Sequence, residues 1–407
     1  MKSKISRISQ WILIAFLISF VAGSISALFL GSLSAATQLR INNSIFVYLL
    51  PIGGLLIGLM YYFGSKGVEG GNDYLIREMH QPKRPIHWKI IPLVFIGTVA
   101  THLFGGSAGR EGTAVQMGGA LGDAITHFFS WTKKHRKRLL RMGVAAGFSG
   151  IFGTPLAGAI FAFELPRDKK FKIADIIWVL LSSFGGHYFC IIWGTHHTQY
   201  PIEIFPSISW SAVLSTIIAG LAFGIAAYAF SKFKHLFTQL FSKISIPYLR
   251  PMIGGVVLLF LFLTFDIKPY LGLGIPEIQS AFNEPMNEYS FLIKLLLTAL
   301  TLGAGFKGGE ATPLFFIGAM LGNLLFLIIP LPVDVLAGIG FVAVFGAATN
   351  TPIASTLIGA ELFGFNGILY FGLANGVAYM IHGNTSVYSD QQILLKKKSI
   401  FKQKKSL

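Results

Sequence analysis

Two stretches of this chain repeat each other, and the repeat constrains the architecture before anything else does. Gly109-Arg110-Glu111-Gly112-Thr113 is echoed by Gly308-Gly309-Glu310-Ala311-Thr312-Pro313, with the two glutamates 199 positions apart. Thr154-Pro155-Leu156-Ala157, ending at Glu164, is echoed by Thr351-Pro352-Ile353-Ala354, ending at Glu361, both at an offset of 197. The Gly-Ala-rich runs Gly118 to Gly122 and Gly318 to Gly322 fall in the same order. A chain with one internal period of this length reads as two related halves, 1–205 and 206–390, followed by a short basic tail, 391–407.

The pieces between these motifs are apolar but short. Runs of apolar residues cover roughly 45–63, 90–104, 174–194, 208–231, 252–265, 290–305 and 334–349. Others, broken by glycine and proline, cover 112–128, 143–152, 154–165, 312–329, 351–364 and 367–382. A helix needs about 20 residues to cross about 30 Å of hydrocarbon, and many of these fall short. Short apolar pieces imply broken or re-entrant helices, which lipid tolerates only where protein or water satisfies the freed backbone groups. Composition agrees that the solvent is lipid. Charged residues make up 12% of the chain and hydrophobic ones 53%, whereas a soluble domain carries about 25% charged residues. A cytosolic enzyme and a disordered chain are excluded on that ground, and a disulfide scaffold because Cys190 is the single cysteine.

The charge that remains is lopsided, 33 Lys+Arg against 17 Asp+Glu. It falls in short clusters between apolar runs: Lys2 to Arg7, Lys83 to Lys89, Lys133 to Arg141, Arg167 to Lys172, Lys232 to Lys243 and the tail from Lys396. Basic connectors flanking apolar spans are the pattern of cytoplasmic loops in a multi-pass membrane protein, not of a nucleic-acid-binding face. The tail can also touch anionic lipid. The first apolar stretch, Trp11 to about Ala35, is too long for a signal peptide and is read as an uncleaved first helix.

Three glycine-rich turns open broken helices: Gly70-Gly71-Asn72-Asp73, Gly105 to Gly112, and Gly308-Gly309. A helix N-terminus presents free N–H groups and roughly half an elementary positive charge, poorly screened inside a membrane. Glycine lets bare backbone approach an ion, so converging ends would cage a small anion without a fully charged ligand. Glu111 stands at such an end, where the dipole favours its carboxylate and burial favours the acid. As a carboxylate it competes with an anion for the N–H groups; protonated, it leaves. That is a way to exchange an anion against a proton. The competing reading is a capping carboxylate held by Arg110.

Glu310 either joins the proton path or hydrogen-bonds Thr312. Glu164 and Glu361 lie near helix C-termini, where the dipole disfavours them, and are expected at an interface, paired with Arg167 or with a backbone donor. Tyr388 can donate to an anion, or serve as an interfacial aromatic. His80 and His87 flank a basic loop and are expected in solvent. No metal-ligand cluster, Walker loop or Ser/His/Asp arrangement is visible, so neither a metal, a cofactor nor an enzymatic reaction is expected.

Together, Gly109-Arg110-Glu111-Gly112, the later glycine turn with Pro313, the doubled Thr-Pro helices and the terminal tyrosine resemble the CLC superfamily of anion channels and proton-coupled antiporters, from about residue 10 to 390. The resemblance implies an all-α polytopic fold of two inverted-topology repeats with many broken, tilted and re-entrant helices. Departures from the chloride-type motifs point to one branch. Asn72 stands where chloride-type members carry serine, Thr113 where they carry proline, and Ala311 where they carry phenylalanine. These substitutions are similar to the bacterial fluoride-exporting branch, from whose first motif Asp73 and Tyr74 nevertheless depart. Leu165 occupies the position of the chloride antiporters' inner proton glutamate, with Glu310 as a possible substitute.

The resemblance implies a homodimer in the bacterial inner membrane that exports fluoride in exchange for protons. Glu111 is then the gate and proton carrier and Glu310 the proton relay. Asn72, Thr312 and Tyr388 are the side chains that bind the anion, in turns formed by Gly71, Gly109, Arg110, Gly112, Thr113, Gly309 and Ala311. The rivals are chloride or nitrate exchange and a passive channel of the same fold; a membrane-embedded enzyme or a scaffold for a partner subunit is a more distant reading.

Overall fold

The structure, a computed structural model, describes residues 2–64, 70–168 and 172–391. Beyond Gln391 the basic tail expected at 391–407 lies outside the described residues, as does 169–171 of the cluster from Arg167 to Lys172. From the N-terminus the helices are α1 (Lys2–Asn42), α2 (Ile45–Tyr48), α3 (Leu50–Gly64), α4 (Gly71–His80), α5 (Ile90–Phe104), α6 (Glu111–Phe128), α7 (Arg136–Phe152), α8 (Pro155–Glu164) and α9 (Ile173–Ile192). They continue with α10 (Trp210–Ser242), α11 (Leu249–Thr264), α12 (Ile275–Ser280), α13 (Ser290–Gly303), α14 (Ala311–Leu325), α15 (Val333–Thr349), α16 (Pro352–Phe363) and α17 (Ile368–His382). No strand occurs among the described residues.

Element order recurs. Each run opens on a long helix, α1 or α10, of 41 and 33 residues. At about 1.5 Å per residue both exceed the hydrocarbon thickness, so they must tilt or protrude. The helices α3–α4–α5, a glycine turn and α6–α7–α8–α9 then match α11–α12–α13, a glycine turn and α14–α15–α16–α17. Among the described residues, only α1, α9 and α10 are long and apolar enough to cross a membrane by length and composition. The expected first helix, Trp11 to about Ala35, is the middle of α1.

Small residues decide how closely the helices meet. A Cβ on Gly118 would lie 2.1 Å from the carbonyl oxygen of Gly143 on α7, and one on Gly318 2.0 Å from that of Gly340 on α15. The repeated Gly-Ala runs are therefore the seams of α6 on α7 and of α14 on α15, where backbone touches backbone as in membrane-embedded packing. The outer faces are covered by large apolar side chains such as Phe16, Leu28, Ile177, Phe260 and Leu369, all exposed as a lipid-facing surface requires.

The basic clusters are less solvated than their sequence suggests. Arg136 reaches Glu78 at 2.9 Å and Asp123 at 2.5 Å, Arg138 reaches Asp175 at 2.6 Å, and Arg141 reaches Asp168 at 3.2 Å. Arg138 and Arg141 are buried. A guanidinium that leaves water needs partners for its charge, and here Glu78, Asp123, Asp168 and Asp175 supply them. His80 also departs from expectation: its Nδ1 lies 3.0 Å from the carbonyl of Pro166, so it ties α4 to the turn after α8.

Candidate functional site

The two repeated glutamate turns meet. Gly109 N–H donates to the carbonyl of Gly309 and Gly309 N–H to that of Gly109, each at 2.7 Å, as an isolated antiparallel bridge. This reciprocal pair sets the N-termini of α6 and α14 side by side, so their positive ends add at one point. Glycine is required on both strands of the bridge. A Cβ on Gly109 would stand 2.9 Å from the carbonyl oxygen of Gly309 and from Cδ of Pro313.

Glu111 neutralises that point. Its carboxylate accepts the N–H of Thr312 at 3.0 Å and of Arg110 at 3.1 Å, and the Thr312 hydroxyl lies 2.5 and 2.7 Å from its two oxygens. Arg110 Nε lies 3.5 Å from the same carboxylate and makes no hydrogen bond, so the arginine is a companion charge and not the clamp. Glu111 is 2% exposed. Backbone N–H groups of two helices and one hydroxyl are what a small anion would find with Glu111 swung away.

Glu310 is arranged differently. One alternative read from the sequence, a bond to Thr312, does not occur, because that hydroxyl is spent on Glu111. Glu310 Oε1 instead accepts from Lys234 of α10 at 2.7 Å, while its Oε2 is buried without a partner. Lys234 also donates to the carbonyl of Val387 at 2.9 Å, beside Tyr388. Sequence reasoning placed Lys234 in a cytoplasmic cluster. The signal that finds it is the polar stripe Lys234, Thr238 and Ser242, every fourth residue of an apolar helix, all three facing one cavity.

That cavity is a vestibule of about 970 Å³. Gly71, Asn72, Thr113, Glu310 and Tyr388 line it. Asn72 packs over the start of α6: a Cβ on Gly112 would sit 2.8 Å from its Nδ2, and its Oδ1 is buried with no partner. The Thr113 hydroxyl is 2.7 Å from that of Thr98, so the threonine that replaces proline is held against α5. Ala311 is buried in the first turn of α14.

Tyr388 is buried on a strap after α17, not in an aromatic belt. Val387 N–H donates to Ala348 at 3.0 Å, and Asp390 N–H donates to the Asp73 carboxylate at 3.1 Å while its own side chain pairs with Arg77. Asp73 thus ties α4, which carries Asn72, to the strap that carries Tyr388. Tyr74 turns the other way, its hydroxyl donating to the carbonyl of Pro85 at 3.1 Å.

On the far side of Glu111 lies a second cavity of about 20 Å³, lined by Arg110, Glu111, His197, Tyr200 and Thr312. It has room for about one water. Glu111 and Thr312 line this small cavity and Glu310, Asn72 and Tyr388 the large one, so the predicted site residues divide between two cavities.

Glu164 and Glu361 sit away from this pathway. Glu164 accepts the N–H groups of Ile353 and Ala354 at 3.2 and 2.8 Å, and Glu361 those of Leu156 and Ala157 at 2.9 and 2.8 Å. Each ends one Thr-Pro helix and caps the start of the other. The expected backbone donor is therefore correct. Arg167 instead donates to the carbonyl of Asn350.

A family model described as voltage gated chloride channel matches residues 53–383. The chain belongs to that family. Within it, this CLC chain is 42% identical over 395 residues to a chloride/fluoride channel protein of Pseudomonas syringae pv. tomato, covering 95% of this chain and 87% of that one. It is 27% identical to an H(+)/Cl(-) exchange transporter of Vibrio vulnificus, covering 74% and 66%. Among solved structures, a CLC-type fluoride/proton antiporter superposes with a TM-score of 0.91 at 31% identity, over 95% of this chain and 98% of the other. The all-helical CLC fold read from the sequence is borne out.

Proposed function

We propose that this protein exports fluoride in exchange for protons across the inner membrane of a bacterium, as a homodimer with one pathway in each subunit. The observation that carries the reading is the Glu111 carboxylate, seated on the N-termini of both α6 and α14 at the wall of the small cavity. An anion entering from the vestibule must displace it. A proton taken from the small-cavity side converts it to a neutral acid, which the helix dipoles hold less well than an anion. Exchange of one for the other follows from that competition. Glu310, salt-bridged to Lys234 at the vestibule wall, is the second proton station.

The vestibule is the cytoplasmic mouth in this reading, because Lys234 and Arg250 line it and the basic ends of α7 and α10 belong to the positive side of the membrane. Its anion contacts are Asn72, Thr312 and Tyr388, with the backbone of Gly71, Gly109, Arg110, Gly112, Thr113, Gly309 and Ala311. Halves 1–205 and 206–390 act as the two units that enclose them. Fluoride is favoured over chloride by Asn72, Ala311 and Thr312 in the motifs and by the likeness to the solved fluoride/proton antiporter. Fluoride is small and accepts stronger hydrogen bonds, which suits an amide and a hydroxyl.

Proteoliposomes loaded with fluoride or chloride, followed by anion electrode and internal pH, test the reading. Fluoride efflux with proton uptake is expected, with chloride far slower. Equal chloride efflux would mean chloride exchange, and fluoride efflux without proton uptake a passive channel. Glu111→Gln, which keeps size but cannot ionise, should abolish proton coupling.

A further inference from the structure

Two polar groups on the vestibule wall have no part in the arrangement above. Lys307, in the turn before α14, lays its aliphatic stem across α5: a Cβ on Gly97 would lie 3.1 Å from both Cβ and Cγ of Lys307 and 3.2 Å from the ring of Tyr61. Its ammonium stands 4.1 Å from the centroid of that ring. Tyr61, on α3, has its hydroxyl oxygen buried with no hydrogen-bond partner. Both side chains line the large cavity. Lys234 is neutralised there by Glu310, but among the described residues no carboxylate pairs with Lys307.

A half-buried ammonium resting on a ring face has satisfied one side only, and its N–H groups still need acceptors. A buried phenol O–H without a partner has the same need. The phenol oxygen is on the rim of the ring over which the ammonium sits, so one small anion can touch both donors. A cation is repelled from the same spot.

We propose that the Lys307 ammonium and the Tyr61 hydroxyl form an anion site on the vestibule wall, separate from the Asn72–Tyr388 site, that takes a small, strongly hydrogen-bonding anion such as fluoride. Its place in transport rests on the exchange reading above: fluoride collects at this wall before it reaches the gate. The site does not touch Glu111, so it sets how readily the vestibule fills and not how many protons return.

Lys307→Met keeps the stem over Gly97 and removes the charge; Tyr61→Phe removes only the hydroxyl. In the full-length protein, each is expected to raise the half-saturating fluoride concentration for exchange at least threefold with the proton-to-fluoride ratio unchanged. The double variant should be no worse than Lys307→Met within about twofold, because one site is lost once. Titration calorimetry with sodium fluoride on the purified protein reads the site without transport. There, loss of a binding event in both variants supports it even if wild-type exchange fails, an outcome that would sink the transport reading alone. Unchanged fluoride binding and half-saturation in both variants overturn the site. If Lys307→Met does not fold, Tyr61→Phe decides by the same readings.

Discussion

A single carboxylate, Glu111, is held by three donors of two kinds, and they can be separated by substitution. Thr312→Val removes the hydroxyl at 2.5 Å and leaves the N–H groups of Thr312 and Arg110 in place. A hydrogen bond to a charged group contributes about 1.5–3 kcal/mol, so Glu111 should leave its seat roughly ten times more often or better. The expected result is a rise in fluoride efflux unmatched by proton uptake, read by electrode and internal pH in the same vesicles; an unchanged ratio would remove Thr312 from the gate. Gly112→Ala works on the substrate side, since its Cβ would lie 2.8 Å from Asn72 Nδ2 and 3.0 Å from Cα of Gly309. Exchange is expected to fall at least tenfold while the protein remains folded in detergent. Glu111 and these glycines were legible in the sequence because a carboxylate beside glycine in an apolar chain has few structural reasons to exist. Lys234 was not, because one lysine among several at a helix end is placed only by the rotation of that helix.

At the scale of helices, the short apolar pieces were read correctly as short helices, and their lengths follow from the glycine and proline that bound them. Their partners were not readable. Glu164 and Glu361 looked misplaced at the ends of α8 and α16, but each meets the free N–H groups of the other helix, where a carboxylate is favoured. The pairing spans 189 to 205 residues, and no local pattern announces it. Loss of a cap costs about 0.5–2 kcal/mol. Glu361→Ala should therefore lower the thermal unfolding midpoint of the purified protein, with Glu361→Gln, which keeps an acceptor oxygen, lowering it less. Proton coupling should be unchanged in both, since neither glutamate lines the vestibule; an unaltered midpoint in Glu361→Ala would contradict the capping account. The strap behaves likewise: the Asp73 carboxylate accepts the N–H of Asp390, and asparagine there would keep an acceptor for the same N–H.

For the whole molecule, the repeat and the scarcity of charge together gave the class of fold, because lipid allows so few ways to satisfy a broken backbone. What they left open was how the halves meet, and the Gly109–Gly309 bridge answers that with two main-chain bonds. Each half supplies one helix N-terminus, and Glu111 from the first reaches Thr312 of the second. On the proposed reading, neither half alone holds an anion. Residues 1–205 and 206–390 made as separate polypeptides should restore growth in fluoride to a sensitive bacterium only when co-expressed, a result scored on plates; rescue by either fragment alone would refute the shared site. The bridge also has a consequence for inheritance. Its bonds belong to the peptide backbone, so any substitution except proline can crowd them but not delete them. Spontaneous loss-of-function alleles should therefore gather at the codons for Gly109, Gly112 and Gly309, where any new side chain is an intrusion.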